Sequence, residues 1–134
     1  MKMLIVEDDV ASRFLISEFL QPYGVCHVAV DGQEAVESVR AALDKKAPYD
    51  LICLDVRMPR MNGLDALKQI RVLEEQKGIL VGHGAKIIMT TAADDFGSIL
   101  SAFNAQCEGY IVKPISEEKL RDLIQKLGIT LAAR

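Results

Sequence analysis

The run Leu51-Ile52-Cys53-Leu54 constrains this chain more than any other stretch. Four consecutive apolar residues between Tyr49-Asp50 and Asp55 have the length and composition of a strand buried on both faces. The run stops at Asp55. Pro59 and Asn62-Gly63 follow, so the chain leaves the sheet there. A second buried run, Met3-Leu4-Ile5-Val6, ends in Glu7-Asp8-Asp9. Two buried strands that both end in acids predict a carboxylate cluster at the carboxyl edge of a sheet, which is where open α/β sheets form sites. Such carboxylates repel one another unless a cation joins them, and hard oxygen ligands suit Mg²⁺.

The rest of the chain alternates in the same way. Ala11, Leu15 and Phe19, with Phe14 beside them, predict an apolar helix face after the first strand, capped by Asp9 or Ser12 and ended by Pro22 and Gly24. Val25 to Val30 reads as a short strand, Asp31-Gly32 as a turn, and Ala35, Val36, Val39 and Leu43 as a helix stripe closed by Lys45-Lys46-Ala47-Pro48. A third helix begins at Asn62-Gly63 and carries Leu64, Leu67, Ile70 and Leu73. Lys86 to Thr90 or Thr91 is a strand, and a helix beginning near Asp94 to Phe96 carries Ile99, Leu100 and Phe103. Gly109 to Val112 is the last strand. A helix opened by Ser116 follows, with the stripe Leu120, Leu123, Ile124 and Leu127. Five strands alternating with five helices mean one parallel sheet covered on both faces.

The 134 residues make one domain, spanning 1–134, with enough chain to bury a full core. The net charge of −3 gives no reason to expect nucleic-acid binding, and no apolar run has the length for membrane insertion. Met1-Lys2 runs straight into a strand pattern, without a signal peptide, and Cys26, Cys53 and Cys107 show neither disulfide nor zinc spacing. They read as reduced core thiols of a cytoplasmic protein. His27 and His83 are isolated and read as plain surface or strand residues. Lys77 to Ala85 holds three glycines without a phosphate-loop signature; it reads as a flexible connection, although Ile79-Leu80-Val81 is apolar enough for a partner-contact loop.

Only a few polar residues fall at the carboxyl ends of the strands: Glu7 and Asp8, Asp55, Thr91, and Lys113. A carboxylate can accept a phosphoryl group as an acyl phosphate, and that transfer needs mainly positioning and neutralisation of the phosphoryl oxygens. A divalent cation, a lysine and a hydroxyl supply both. Thr90 is the alternative hydroxyl; Thr91 is preferred because the small Ala92 after it leaves room. Asp9 is a candidate third metal ligand, although a helix cap suits it better.

These residues resemble the receiver domain of two-component response regulators over essentially the whole chain. The matching motifs are Glu7-Asp8 after Leu4-Ile5-Val6, Asp55 followed by Met58-Pro59 and Gly63, Thr91-Ala92 after Ile87-Ile88-Met89, and Lys113-Pro114 after Gly109-Tyr110-Ile111-Val112. The resemblance implies a (βα)5 flavodoxin-like, doubly wound five-stranded parallel sheet with strand order 2-1-3-4-5. By the same resemblance, Asp55 is the phosphoacceptor; Glu7, Asp8, Asp55 and the Arg57 backbone carbonyl hold Mg²⁺ or Mn²⁺; and Thr91 and Lys113 contact the phosphoryl oxygens. Thr91 and Tyr110 are then the switch pair, although Tyr110 also fits a static core ring. A sensor histidine kinase or histidine phosphotransfer protein is the implied donor, and a downstream protein or a self-dimer the implied output, reached through the face of the fourth helix, fifth strand and fifth helix.

Such a domain catalyses only its own phosphorylation and dephosphorylation. Arg57 and Ala93 occupy the positions that flank the hydrolytic water in the family; Arg57 could lie over the phosphoryl group or pair with Asp94 or Asp95, and the first, which would prolong the phosphoryl group's life, is the one expected. With its last residue, Arg134, just beyond the last helix, the chain reads as a stand-alone receiver or as a piece of a longer protein; the Met1-Lys2 start favours the first. Three rivals are weaker. A phosphate-independent scaffold would not need the full acid, hydroxyl and lysine set. A nucleotide or flavin binder would not place Glu7-Asp8-Asp9 at its phosphate loop, and a phosphoaspartate hydrolase would carry an acid where Arg57 stands.

Overall fold

The computed structural model describes residues 1–92 and 94–129, the Phe96 side chain excepted; Ala93 and the C-terminal stretch 130–134 lie outside the described residues. The elements run β1 (Lys2–Val6), α1 (Val10–Leu20), a 3₁₀ turn (Gln21–Tyr23), β2 (Val25–Ala29), α2 (Gly32–Asp44), β3 (Leu51–Asp55), α3 (Gly63–Gln76), β4 (Lys86–Thr91), α4 (Phe96–Asn104), β5 (Gly109–Val112) and α5 (Glu117–Lys126). Every strand pairing is parallel and the order is β2-β1-β3-β4-β5, the flavodoxin-like arrangement expected.

Alternation along the strands divides the core into two layers. Leu4, Val6, Ile52, Leu54, Ile87 and Met89 face one side and pack against α2, α3 and Ala102 of α4. Met3, Ile5, Leu51, Cys53, Ile88 and Ile111 face the other and pack against α1 and α5. All five residues of β3 are buried, as its uninterrupted apolar run requires. Asp9, Asp31, Asn62 and Ser116 each accept a backbone N–H at the start of their helices, so four of the helix starts are fixed by short polar side chains worth about 1 kcal/mol each.

The structure departs from the sequence reading on α1. Its buried residues are Ile16 and Leu20, with Phe19 packed partly against the same layer, whereas Ala11, Phe14 and Leu15 are exposed. Apolar residues occupy several faces of this helix, so periodicity alone did not select the one that meets the sheet. The three cysteines are free; Cys53 and Cys107 are buried, but Cys26 is only half-buried at the sheet edge. Burial pushes the Cys53 thiol up to about 12 and the Cys107 thiol up to about 11, so neither supplies thiolate at neutral pH. His27 lies on β2 and its Nδ1 shares a 2.8 Å hydrogen bond with the Tyr49 hydroxyl.

The α3–β4 connection is tied down at its base. Glu74, buried on α3, accepts from Ala85 N–H at 2.8 Å and from Arg71 Nη1 at 2.7 Å. Arg71 also reaches the Ala85 carbonyl, the Gln106 carbonyl and the Glu108 carboxylate. Ile79 packs on the core, while Leu80 and Val81 project into solvent.

Candidate functional site

The carboxyl ends of β1, β3, β4 and β5 meet at one edge because the register aligns them. Val6 lies beside Leu54, Asp55 beside Thr90, and Thr91 beside Val112. Each strand end is extended by one further backbone bond: Glu7 N–H to Ala29 O at 3.1 Å, Val56 N–H to Thr90 O at 3.0 Å, and Lys113 N–H to Thr91 O at 2.8 Å. Glu7, Asp55 and Lys113 are therefore held by the sheet itself and not by flexible loops. The Lys113–Pro114 peptide is cis.

Glu7, Asp8 and Asp55 bring carboxylate oxygens within 4.8 Å of one another. Glu7 and Asp55 are buried, at 1% and 4% exposure, and Asp8 faces solvent. Lys113 Nζ stands 3.0 Å from Glu7 Oε1 and 3.2 Å from Asp55 Oδ2. Only the Asp55 contact has hydrogen-bond geometry. Glu7 Oε2 accepts from Asp9 N–H at 3.1 Å, and Glu7 Oε1 has no hydrogen-bond partner among the described residues despite its burial. Arg13 Nη1 donates to the Glu7 carbonyl at 2.9 Å and anchors the β1–α1 turn.

The electrostatics follow from this crowding. Burial, reinforced by the neighbouring Asp55 carboxyl, raises the Glu7 pKa against the opposing pull of the Asp9 amide and Lys113. Burial alone would lower Lys113, but the carboxylates of Glu7 and Asp55 outweigh it and hold the ammonium more firmly protonated. The Ser12 amide and hydroxyl keep Asp9 below the usual carboxylate range, which fits its role as the α1 cap. Three carboxylates outnumber one ammonium, and among the described residues the one buried side-chain oxygen that lacks a hydrogen-bond partner belongs to this set. A hard divalent cation fits that donor set: it would neutralise the excess charge and occupy the lone pairs that Lys113 leaves unmet.

Thr91 is buried at the end of β4, with its Oγ1 3.3 Å from the Ala92 carbonyl. Alternation places it on the face of Ile87 and Met89, the side that also carries α4, while Thr90 lies on the opposite face. Tyr110 is not a core ring. It is 40% exposed on β5 and meets Phe103 of α4 edge-on, with centroids 5.9 Å apart.

Arg57 differs from its expected placement. Its Nε donates to Asp95 Oδ2 at 3.1 Å and its side chain is 72% exposed, so it is drawn to the start of α4 and does not lie over Asp55. An acid fixed near the α4 cap offers the guanidinium a closer partner than the site does. Ala93 lies outside the described residues. The sequence reading also missed Arg60, which pairs with the buried Asp31, and the Arg13 anchor; the capping position of Asp31 was the available signal for the first.

The chain matches the response regulator receiver domain family over residues 3–125. It is 31% identical to the osmosensing histidine protein kinase SLN1 of Saccharomyces cerevisiae over 92% of this chain, a match that spans 10% of that protein. It is 34% identical to the chemotaxis protein CheY-3 of Vibrio cholerae, over 95% of this chain and 91% of that one. Among solved structures it resembles the receiver domain of the sensor histidine kinase PA1611 from Pseudomonas aeruginosa, which has a magnesium ion coordinated in its active site cleft. That likeness has a TM-score of 0.74 and 28% identity, and covers 95% of this chain and 97% of that one. It also resembles the S. cerevisiae structure of the receiver domain of Ssk1 with the histidine phosphotransfer protein Ypd1, at a TM-score of 0.79 and 29% identity, covering 96% of this chain and 88% of that one.

Proposed function

Because the chain belongs to the response regulator receiver domain family of two-component signalling, we propose that it is a phosphorylation-controlled switch whose phosphoacceptor is Asp55. The observation that carries this reading is the Lys113 ammonium poised between Glu7 and Asp55, beside three converging carboxylates. The donor is a phosphohistidine on a sensor kinase or a phosphotransfer protein, a reading supported by the Ssk1 receiver's complex with Ypd1. An Asp55 carboxylate oxygen attacks phosphorus, the P–N bond breaks, and the imidazole nitrogen keeps the electron pair.

Lys113 and the Thr91 hydroxyl stabilise the phosphoryl oxygens. Glu7, Asp8, Asp55 and the Arg57 carbonyl would hold Mg²⁺, a reading that the acid cluster and the magnesium-bound PA1611 receiver support. When bound, the cation neutralises charge between the acids and the transferring group. Lys113 keeps its proton throughout, since both carboxylates favour the charged form.

The output follows from placement. Thr91 lies on the α4 side of the sheet, and Tyr110 and Phe103 lie together on the surface beyond it. Drawing Thr91 toward a phosphoryl group would change the packing available to Tyr110, and so bias the α4-β5-α5 face toward a partner or a second copy. The domain acts in the cytoplasm and turns over no outside substrate. Incubation with acetyl phosphate and Mg²⁺, followed by intact mass measurement, is expected to add one phosphoryl group to the wild type and none to Asp55→Asn. Equal incorporation by the variant would move the acceptor elsewhere.

A further inference from the structure

We propose that Asp31 and Arg60 form a clamp that presets the β3–α3 loop for the divalent cation, which makes Arg60 a positioning residue of the site. The inference rests on the Mg²⁺-dependent reading above. The loop from Val56 to Asn62 is closed at its base. Gly63 N–H donates to Val56 O at 2.8 Å, and a Cβ on Gly63 would stand 2.0 Å from the Asp55 carbonyl oxygen. The far end of the loop is fixed from outside. Gly32 N–H donates to Met61 O at 3.1 Å, and a Cβ on Gly32 would meet that same oxygen at 2.4 Å. Beside this contact Arg60 Nε donates to Asp31 Oδ2 at 2.7 Å, and Nη2 adds a second bond to the same oxygen.

Asp31 is a firm anchor. Its side chain is 3% exposed, its other oxygen accepts the Glu34 N–H at 2.8 Å, and α2 behind it is packed through Ala35, Val36 and Val39. Arg60 itself sits at φ +64°, a conformation that suits glycine and that other residues adopt at a cost. Its side chain is 67% exposed and covers little apolar surface. The guanidinium–Asp31 contact, together with the Met61 N–H to Pro59 O bond of 2.7 Å that spans Arg60, offsets that cost. The loop it restrains carries Asp55 at one end and the Arg57 carbonyl in its middle, both assigned to the cation. Loss of a group that orients metal ligands from outside typically costs about 10–100-fold in metal affinity.

Simple charge arithmetic predicts the opposite of the clamp. Removing a cationic side chain near a cation site should tighten Mg²⁺ binding; removing a clamp should weaken it. The test compares wild type, Arg60→Gly and Arg60→Lys without phosphodonor, by titration calorimetry with Mg²⁺. Amide hydrogen exchange over residues 57–62 in metal-free protein completes the set. Glycine keeps the backbone conformation and leaves the Asp31 cap on α2 intact.

The expected result for Arg60→Gly is a Mg²⁺ dissociation constant raised about tenfold and faster exchange in the loop. Lysine, which still reaches Asp31 with one donor, should recover part of the affinity. Equal or tighter Mg²⁺ binding by Arg60→Gly, or weaker binding with unchanged exchange, would overturn the clamp alone. A wild-type chain that takes up no Mg²⁺ would overturn the metal assignment, and the clamp with it.

Discussion

At the scale of single residues, the site was legible wherever a strand end fixed it. Glu7, Asp8, Asp55 and Lys113 each follow an apolar run, and a parallel sheet in this order has no other place to put them than one edge. Arg57 was not legible in this way. It follows a strand end by two residues, its side chain is long, and the acid that captures it lies 38 residues further on. The Ser98 hydroxyl, and after it Arg57, hold Asp95 below the usual carboxylate range against the effect of its burial. With Arg57 turned toward α4, Arg57→Ala is expected to change the phosphorylated lifetime by less than about twofold, since a solvent-exposed ion pair contributes little. The measurement is the decay of phosphorylated protein after donor removal in Mg²⁺. A lifetime shortened fivefold or more, on the order of 1 kcal/mol in the barrier, would return the guanidinium to the phosphoryl group.

At the scale of elements, strand identity and helix starts were readable, but the facing of α1 was not. Phe14 and Leu15 compete with Ile16 and Leu20 for the same sheet, and tertiary packing decides between them. The Arg71–Glu74–Glu108 cluster was missed because its members come from α3 and from the turn before β5, with no periodic signal linking them. One signal was present: Glu74 falls four residues after Ile70, on the stripe of α3 that faces the core. A charge on a buried stripe implies a partner. Glu74→Ala leaves the buried Ala85 N–H without an acceptor and removes one of the acceptors of Arg71, and is expected to cost about 3 kcal/mol of unfolding free energy. Urea unfolding of the two proteins would measure this, and a loss below about 1 kcal/mol would show that the contacts Arg71 already makes to Glu108 and the Ala85 and Gln106 carbonyls suffice without Glu74.

At the scale of the whole molecule, the acidic edge and the Arg71 cluster lie at opposite ends of the strands, so the proposed response to phosphorylation would belong to one end. Beryllofluoride with Mg²⁺ is expected to change amide hydrogen exchange in residues 97–119 while leaving α3 and the 77–85 connection unchanged. No change in the former segment would favour a phosphate-independent scaffold. The anchoring of α4 has a mechanical consequence. Just past its carboxyl end the chain is held by Cys107 N–H on Ala102 O, by Arg71 on the Gln106 carbonyl, and by Glu108 N–H on Ile87 O. Its amino end is joined to the β3–α3 loop by the exposed Arg57–Asp95 contact. A nine-residue helix is a rod of about 14 Å. If α4 turned about Gln106, Asp95 would stand at the end of the long arm and Phe103, against Tyr110, on the short arm. Travel at the site end would then be geared down, and force correspondingly geared up, where the two rings meet.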